Sequence, residues 1–159
     1  MDLLPFIQWC EGSWLGSAIR TSSWAFAVIE SVHLLALAAI GGAVLIVDLR
    51  LLGFGLRDQP VRRIAREAFP WLVGALAVML VTGIGLFLSE ATKCYYSTPF
   101  RVKMSSLLLA ITFTFTIRRK ITSAEDSRVS PIVYSLVALV SLVLWFGVGA
   151  SGRWIGFSV

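Results

Sequence analysis

The chain has one imidazole, His33, and it sits inside an apolar run that extends from Ser23 to Gly53. Between Trp24 and Val47 only Glu30 and His33 can carry charge. Three residues apart, the two share one face of a helix. An ionisable group at the centre of a bilayer costs about 2.5–3.5 kcal/mol on insertion scales, so such groups turn toward protein. Three chemistries are open to His33: a hydrogen bond to a neighbouring helix, a proton relay with Glu30, or axial ligation of haem iron. Glu30 lies one turn nearer the outer surface, where a carboxylate can accept the imidazole N–H and fix its tautomer. A single histidine leaves the iron five-coordinate, shared across a homodimer, or completed by another donor such as Met79. Lys103, Arg101 and Arg153 fall at a similar outer level. Their cationic heads suit haem propionates or an anionic headgroup through charge-assisted bonds; anchoring at the interface is the plainer reading.

These side chains require long helices to hold them. A helix rises about 1.5 Å per residue, so some 20 apolar residues cross the roughly 30 Å hydrocarbon core. Four stretches meet this requirement, at about 22–47, 69–89, 100–119 and 131–149. Pro70 is expected in the first turn of the second, where no backbone donor is lost. Residues 1–20 are apolar but interrupted, and their tryptophans suit a helix lying in the interface. The expected fold is an all-α, integral membrane four-helix bundle with an N-terminal interfacial helix, residues 1–159 forming a single membrane domain.

Composition agrees. Hydrophobic residues are 57% and charged residues 14% of the chain, with a mean hydropathy of +0.83; soluble domains carry about a quarter charged residues. No basic segment precedes the first apolar run, so no signal peptide is expected. The formal charge of +5 is no sign of nucleic-acid binding. Nine of the fourteen basic residues fall in the loops after the first and third spans, at 50, 57, 62, 63, 66, 118, 119, 120 and 128. By the positive-inside rule those loops face the cytoplasm. Both termini then face outward, into the periplasm if the membrane is a bacterial inner membrane. Cys10 and Cys94 fall on that oxidising side. Two free, packed thiols are expected, with a bridge open only if their Cα atoms approach within about 7 Å.

The stretches SVHLLALAAIGGAVLIVDLRLLG, FPWLVGALAVMLVTGIGLFLSEATKCYY, PFRVKMSSLLLA and LWFGVGASGRWIGF resemble a family of bacterial four-helix membrane proteins. That family is related to CopD-type copper-resistance proteins and HemJ-type protoporphyrinogen oxidases. The resemblance runs from about residue 20 to 157. It rests on the helix-one histidine, an Asp-Leu-Arg exit, a Thr-Gly pair in the second span and an aromatic-x-x-Lys entry to the third. It implies haem b, with His33 matching the helix-one histidine of the HemJ-type branch and Lys103 its lysine. The chain lacks the extra histidines of two-haem proteins and the paired soft ligands of copper transport. The functional expectation is a b-type haem-binding membrane protein with a redox role, exchanging electrons with quinone or a partner protein, or oxidising a porphyrin-like substrate. The alternative is a non-catalytic transporter or an accessory subunit of a membrane complex. A homo-oligomer is compatible with either, and whether the protein is an enzyme stays open.

Overall fold

The computed structural model describes residues 4–55, 58–124, 129–155 and 157. Two short helices, α1 (Leu4–Glu11) and α2 (Trp14–Thr21), precede the long α3 (Ala25–Leu51) and α4 (Val61–Ser89). A short α5 (Ala91–Tyr96) leads into α6 (Thr98–Phe113), which runs through a π turn (Thr114–Arg118) into α7 (Arg119–Ser123). The last helix is α8 (Pro131–Ile155). The four segments Ala25–Leu51, Val61–Ser89, Thr98–Ser123 and Pro131–Ile155 are long and apolar enough to cross a membrane. The chain is a multi-pass membrane protein, all-helical among the described residues. With four such segments running in alternation, α1 and α2 lie at the same end of the bundle as the C-terminal end of α8.

Two sequence boundaries need correction. The N-terminal segment is two helices rather than one, broken at Gly12-Ser13, with Ser13 capping α2 through its hydroxyl on the Gly16 N–H. The second span begins at Val61, not near 69, so Pro70 lies inside a helix rather than in its first turn. The reason is visible in the spacing: Val61, Ile64 and Leu72 are all buried on one face, and Arg63 pairs with Glu67 one turn on. That pattern extends the helix back through the arginines to Pro60. Pro70 forgoes one backbone bond to the preceding turn, close to the polar end of the span.

The core is a seam of inward positions. On α3 it reads His33, Ala36, Ile40, Val44, Val47 and Leu51, spaced three or four apart as a helix face demands. Against it pack Leu72, Leu76 and Met79 of α4, Leu107 and Ala110 of α6, and Trp145 and Val148 of α8. The opposite faces carry large exposed apolar side chains such as Leu35, Val81, Leu108 and Phe146, which suit lipid tails. Among the long helices α3 packs on α4 and α8, and α6 packs on α8. Between α4 and α6 the link runs through side chains, with Phe87 stacked on Phe100 at one end and Phe69 edge-on to Phe115 at the other.

Helix α3 stops at a left-handed glycine, Gly53 (φ 79°), whose N–H bonds the Arg50 carbonyl while the Phe54 N–H reaches Leu49. This closes two carbonyls that the helix end would otherwise leave open. At the opposite end α2 sits hard against α4, and a Cβ on Gly16 would overlap the Leu88 carbonyl. Glu11 ties α1 to both neighbours, accepting from the Thr92 N–H (2.8 Å) and from Arg20 (3.0 Å). Cys10 and Cys94 are both free and buried. Burial, ahead of the nearby Glu90, pushes the Cys94 thiol up to about 11.

Two outcomes are expected. Gly16→Ala should destabilise the detergent-solubilised protein by about 1–3 kcal/mol, the usual cost of overpacking, read as a lower thermal midpoint; an unchanged midpoint would show that α2 is not docked. The Thr92 side chain, followed by its backbone N–H, holds the Glu11 carboxyl below the ordinary value of 4.5. Its folded pKa being the lower one, the contribution is complete above 4.5 and is lost as pH falls through the folded value. Glu11→Gln should therefore flatten the acid limb of a stability–pH curve.

Candidate functional site

His33 is 7% exposed and sits where α3, α4 and α6 converge. Its Nδ1 lies 2.9 Å from the Thr82 hydroxyl. That hydroxyl is itself 2.7 Å from the Val78 carbonyl, and a carbonyl can only accept. The Thr82 proton is thus spent on Val78, its oxygen accepts from the imidazole, and Nδ1 carries the ring hydrogen. Nε2 keeps its lone pair and faces the Lys103 ammonium at 3.5 Å. A doubly protonated ring would set donor against donor there, so the imidazole is neutral. Two glycines make the arrangement possible. A Cβ on Gly83 would come within 3.2 Å of the ring Cε1, and the Lys103 stem lies along Gly152.

The other expected participants are distributed differently. Thr82, and not Glu30, accepts the imidazole N–H; Glu30 is exposed and makes no hydrogen bond among the described residues. Three residues is one face in principle, but at the edge of a narrow seam it divides an inward position from an outward one. Met79 is buried in the apolar core, and its carbonyl lies 3.2 Å from the Thr82 hydroxyl. Arg101 and Arg153 are exposed, the latter over the Phe157 ring at 4.7 Å. Of the basic residues at this end, Lys103 alone reaches the histidine. Thr82 had a signal in the sequence, since the Thr-Gly pair stands in the second span at the depth of His33.

A second polar pair lies deeper along α3. Asp48 is fully buried, and Arg118 (6% exposed) donates to it from Nε at 2.9 Å and to the Val44 carbonyl from Nη2 at 3.2 Å. Sequence reasoning read Arg118 only as a topology signal; it is an interior ion pair. The π turn accounts for its direction. Inward positions run Lys103, Leu107, Ala110, Thr114, Arg118, Thr122, and each step of four residues drifts about 40° around an α-helix. One wider turn at 114–118 cancels that drift and keeps Arg118 and Thr122 on the buried side. Thr114 at its start accepts from the Trp145 indole at 3.1 Å. The Asp48 Oδ2 and the Ser141 hydroxyl are buried and have no hydrogen-bond partner among the described residues.

Among the described residues no three His, Cys, Asp or Glu side chains gather as metal ligands. Haem, which carries four nitrogen ligands of its own, asks only one or two donors of a protein. The donor fits: a neutral imidazole with its tautomer fixed by Thr82 and its free lone pair turned between helices. The place in front of Nε2 is taken by the Lys103 amine. A macrocycle bound at Nε2 would need that amine displaced.

A model of a family of unknown function, DUF6644, matches residues 6–158. The chain belongs to that family. No curated protein and no solved structure matches it.

The deep pair gives a clear test. Arg118→Met leaves the Asp48 carboxylate buried without its partner and should cost about 3–5 kcal/mol, measured by denaturant unfolding in detergent. Asp48→Asn combined with Arg118→Met should recover much of that loss. Additive losses in the double variant would mean that the two side chains do not act as a pair.

Proposed function

We propose that the chain is a b-type haem-binding membrane protein with a redox role, in which His33 supplies the axial nitrogen. One observation carries this reading: the ring is neutral, its Nδ1–H is spent on Thr82, and its Nε2 lone pair faces only a retractable lysine. Haem, when bound, supplies one-electron exchange with a quinone or a partner protein. The work of the chain is to prepare for it. Thr82 raises the basicity of the imidazole and holds the plane of the ring. Gly83 leaves the ring its space. Lys103, freed from Nε2, offers a cation to an anionic group at the outer boundary. The resemblance of the helix-one histidine and of Lys103 to those of HemJ-type proteins supports this assignment, with oxidation of a porphyrin-like substrate as one form of the redox role.

A second reading is favoured by the fact that both ring nitrogens already have partners. His33, Thr82 and Lys103 then form a polar clamp joining α3, α4 and α6, and the protein is a non-catalytic subunit of a membrane complex. The orientation belongs to the proposal too: the arginine-rich loops face the cytoplasm of a bacterial cell and both termini face the periplasm.

Protein purified from cells supplied with haem precursor should show a Soret band and reducible α/β bands. His33→Ala should abolish them with insertion unchanged, and Thr82→Val should keep the bands but raise the midpoint potential, because a less basic imidazole favours ferric iron less. A Soret spectrum unchanged in His33→Ala overturns the ligand assignment. A colourless wild type of normal stability selects the clamp. A periplasmic reporter fused to the C-terminus should be active; inactivity reverses the orientation.

A further inference from the structure

At the arginine end, a cleft of roughly 250 Å³ opens between α3, α4 and the π turn with α7. Its polar wall carries Arg62, Arg66, Arg118 and Arg119, with the hydroxyls of Thr122 and Ser123. Its deeper wall is apolar, from Val47, Phe69 and Leu72 among others. Among the described residues no acidic side chain lines it. The neighbouring cleft, which shares Ala43 and Ala68 with it, differs: there Arg63 is neutralised by Glu67 at 2.9 Å. Topology alone asks for arginines at this end of the bundle. It does not ask that they converge on one cavity, as four of them do here.

We propose that this cleft binds a phosphate-bearing anion. Arg119 is held in place, its guanidinium stacked over the Phe69 ring at 4.9 Å, which leaves the edges of the fork to donate. Arg118 borders the same space from the buried side, with Nε and Nη2 spent on Asp48 and Val44. Arg62 and Arg66 are exposed, make no ion pair among the described residues, and lie one turn apart on α4. The three arginines other than Arg118 match the oxygens of a phosphate, and among the described residues no acidic lining side chain competes for them. The apolar depth of the cleft suits the acyl side of a lipid phosphate, the chemistry of basic pockets between membrane helices. Free phosphate offers the same oxygens without the tails. This site is independent of His33, which lies toward the other end of α3.

The test uses the full-length protein in a neutral detergent. Retention of phosphatidylglycerol is compared with that of phosphatidylcholine by native mass spectrometry, and thermal stability is followed with added inorganic phosphate. Wild type should retain phosphatidylglycerol preferentially. Arg62→Gln with Arg66→Gln should weaken that preference about tenfold or more, while Arg63→Gln, facing the neutralised cleft, leaves it intact. If inorganic phosphate stabilises wild type but not the Arg62/Arg66 variant, with the two lipids retained equally, the anion is the soluble one and the site stands. Equal retention with no phosphate effect overturns the proposal. So does an Arg63→Gln loss as large as that of the double variant, which would mark diffuse surface charge.

Discussion

Inside a bilayer no water is available to an unpaired polar group, and this fold is organised by how it meets that constraint. The two places where α3 carries a buried polar side chain, His33 and Asp48, are about 22 Å apart along the helix by rise per residue. Each draws a cation from the third crossing: Lys103 to the imidazole, Arg118 to the carboxylate. Between the two lies an apolar layer of Ile40, Val44, Leu76, Met79 and Trp145. The bundle is thus clamped at two levels, with a dry layer separating them.

The two clamps differ in chemistry. Asp48 and Arg118 balance each other's charge, and the Val44 carbonyl takes a further guanidinium proton. Such a pair is costly to break and holds the crossing in register. The cluster of His33, Thr82 and Lys103 includes no acid, so its cation is matched only by a neutral nitrogen. A site of that kind has capacity left for an electron-rich or anionic ligand. This imbalance, more than the presence of a histidine, is what the proposed ligand site rests on.

Between α4 and α6 lies a gap that side chains span. α3 is pinned by close packing on α4 and α8, whereas α6 leans on α8 and meets α4 through aromatic pairs near its ends. Lys103 reaches His33 with a four-carbon stem that lies along Gly152. At the arginine end the same gap widens into the cleft lined by α4 and α7.

The sequence by itself determined the four crossings, because the length and apolarity of each run are local properties that the hydrocarbon thickness tests directly. It also pointed to His33 and Lys103, as ionisable groups at membrane depth are scarce enough to stand out. It did not determine their neighbours. Whether Glu30 or Thr82 meets the imidazole depends on a rotation of α3 of less than one residue spacing, and that rotation is set by how side chains of four helices interlock. The start of α4 was legible in the spacing of Val61 and Ile64 but hidden by the arginines between them. Arg118 looked like one more basic residue of a loop. Only the tertiary structure, through a single wide turn in the third crossing, brings it to Asp48, 70 residues away in the chain.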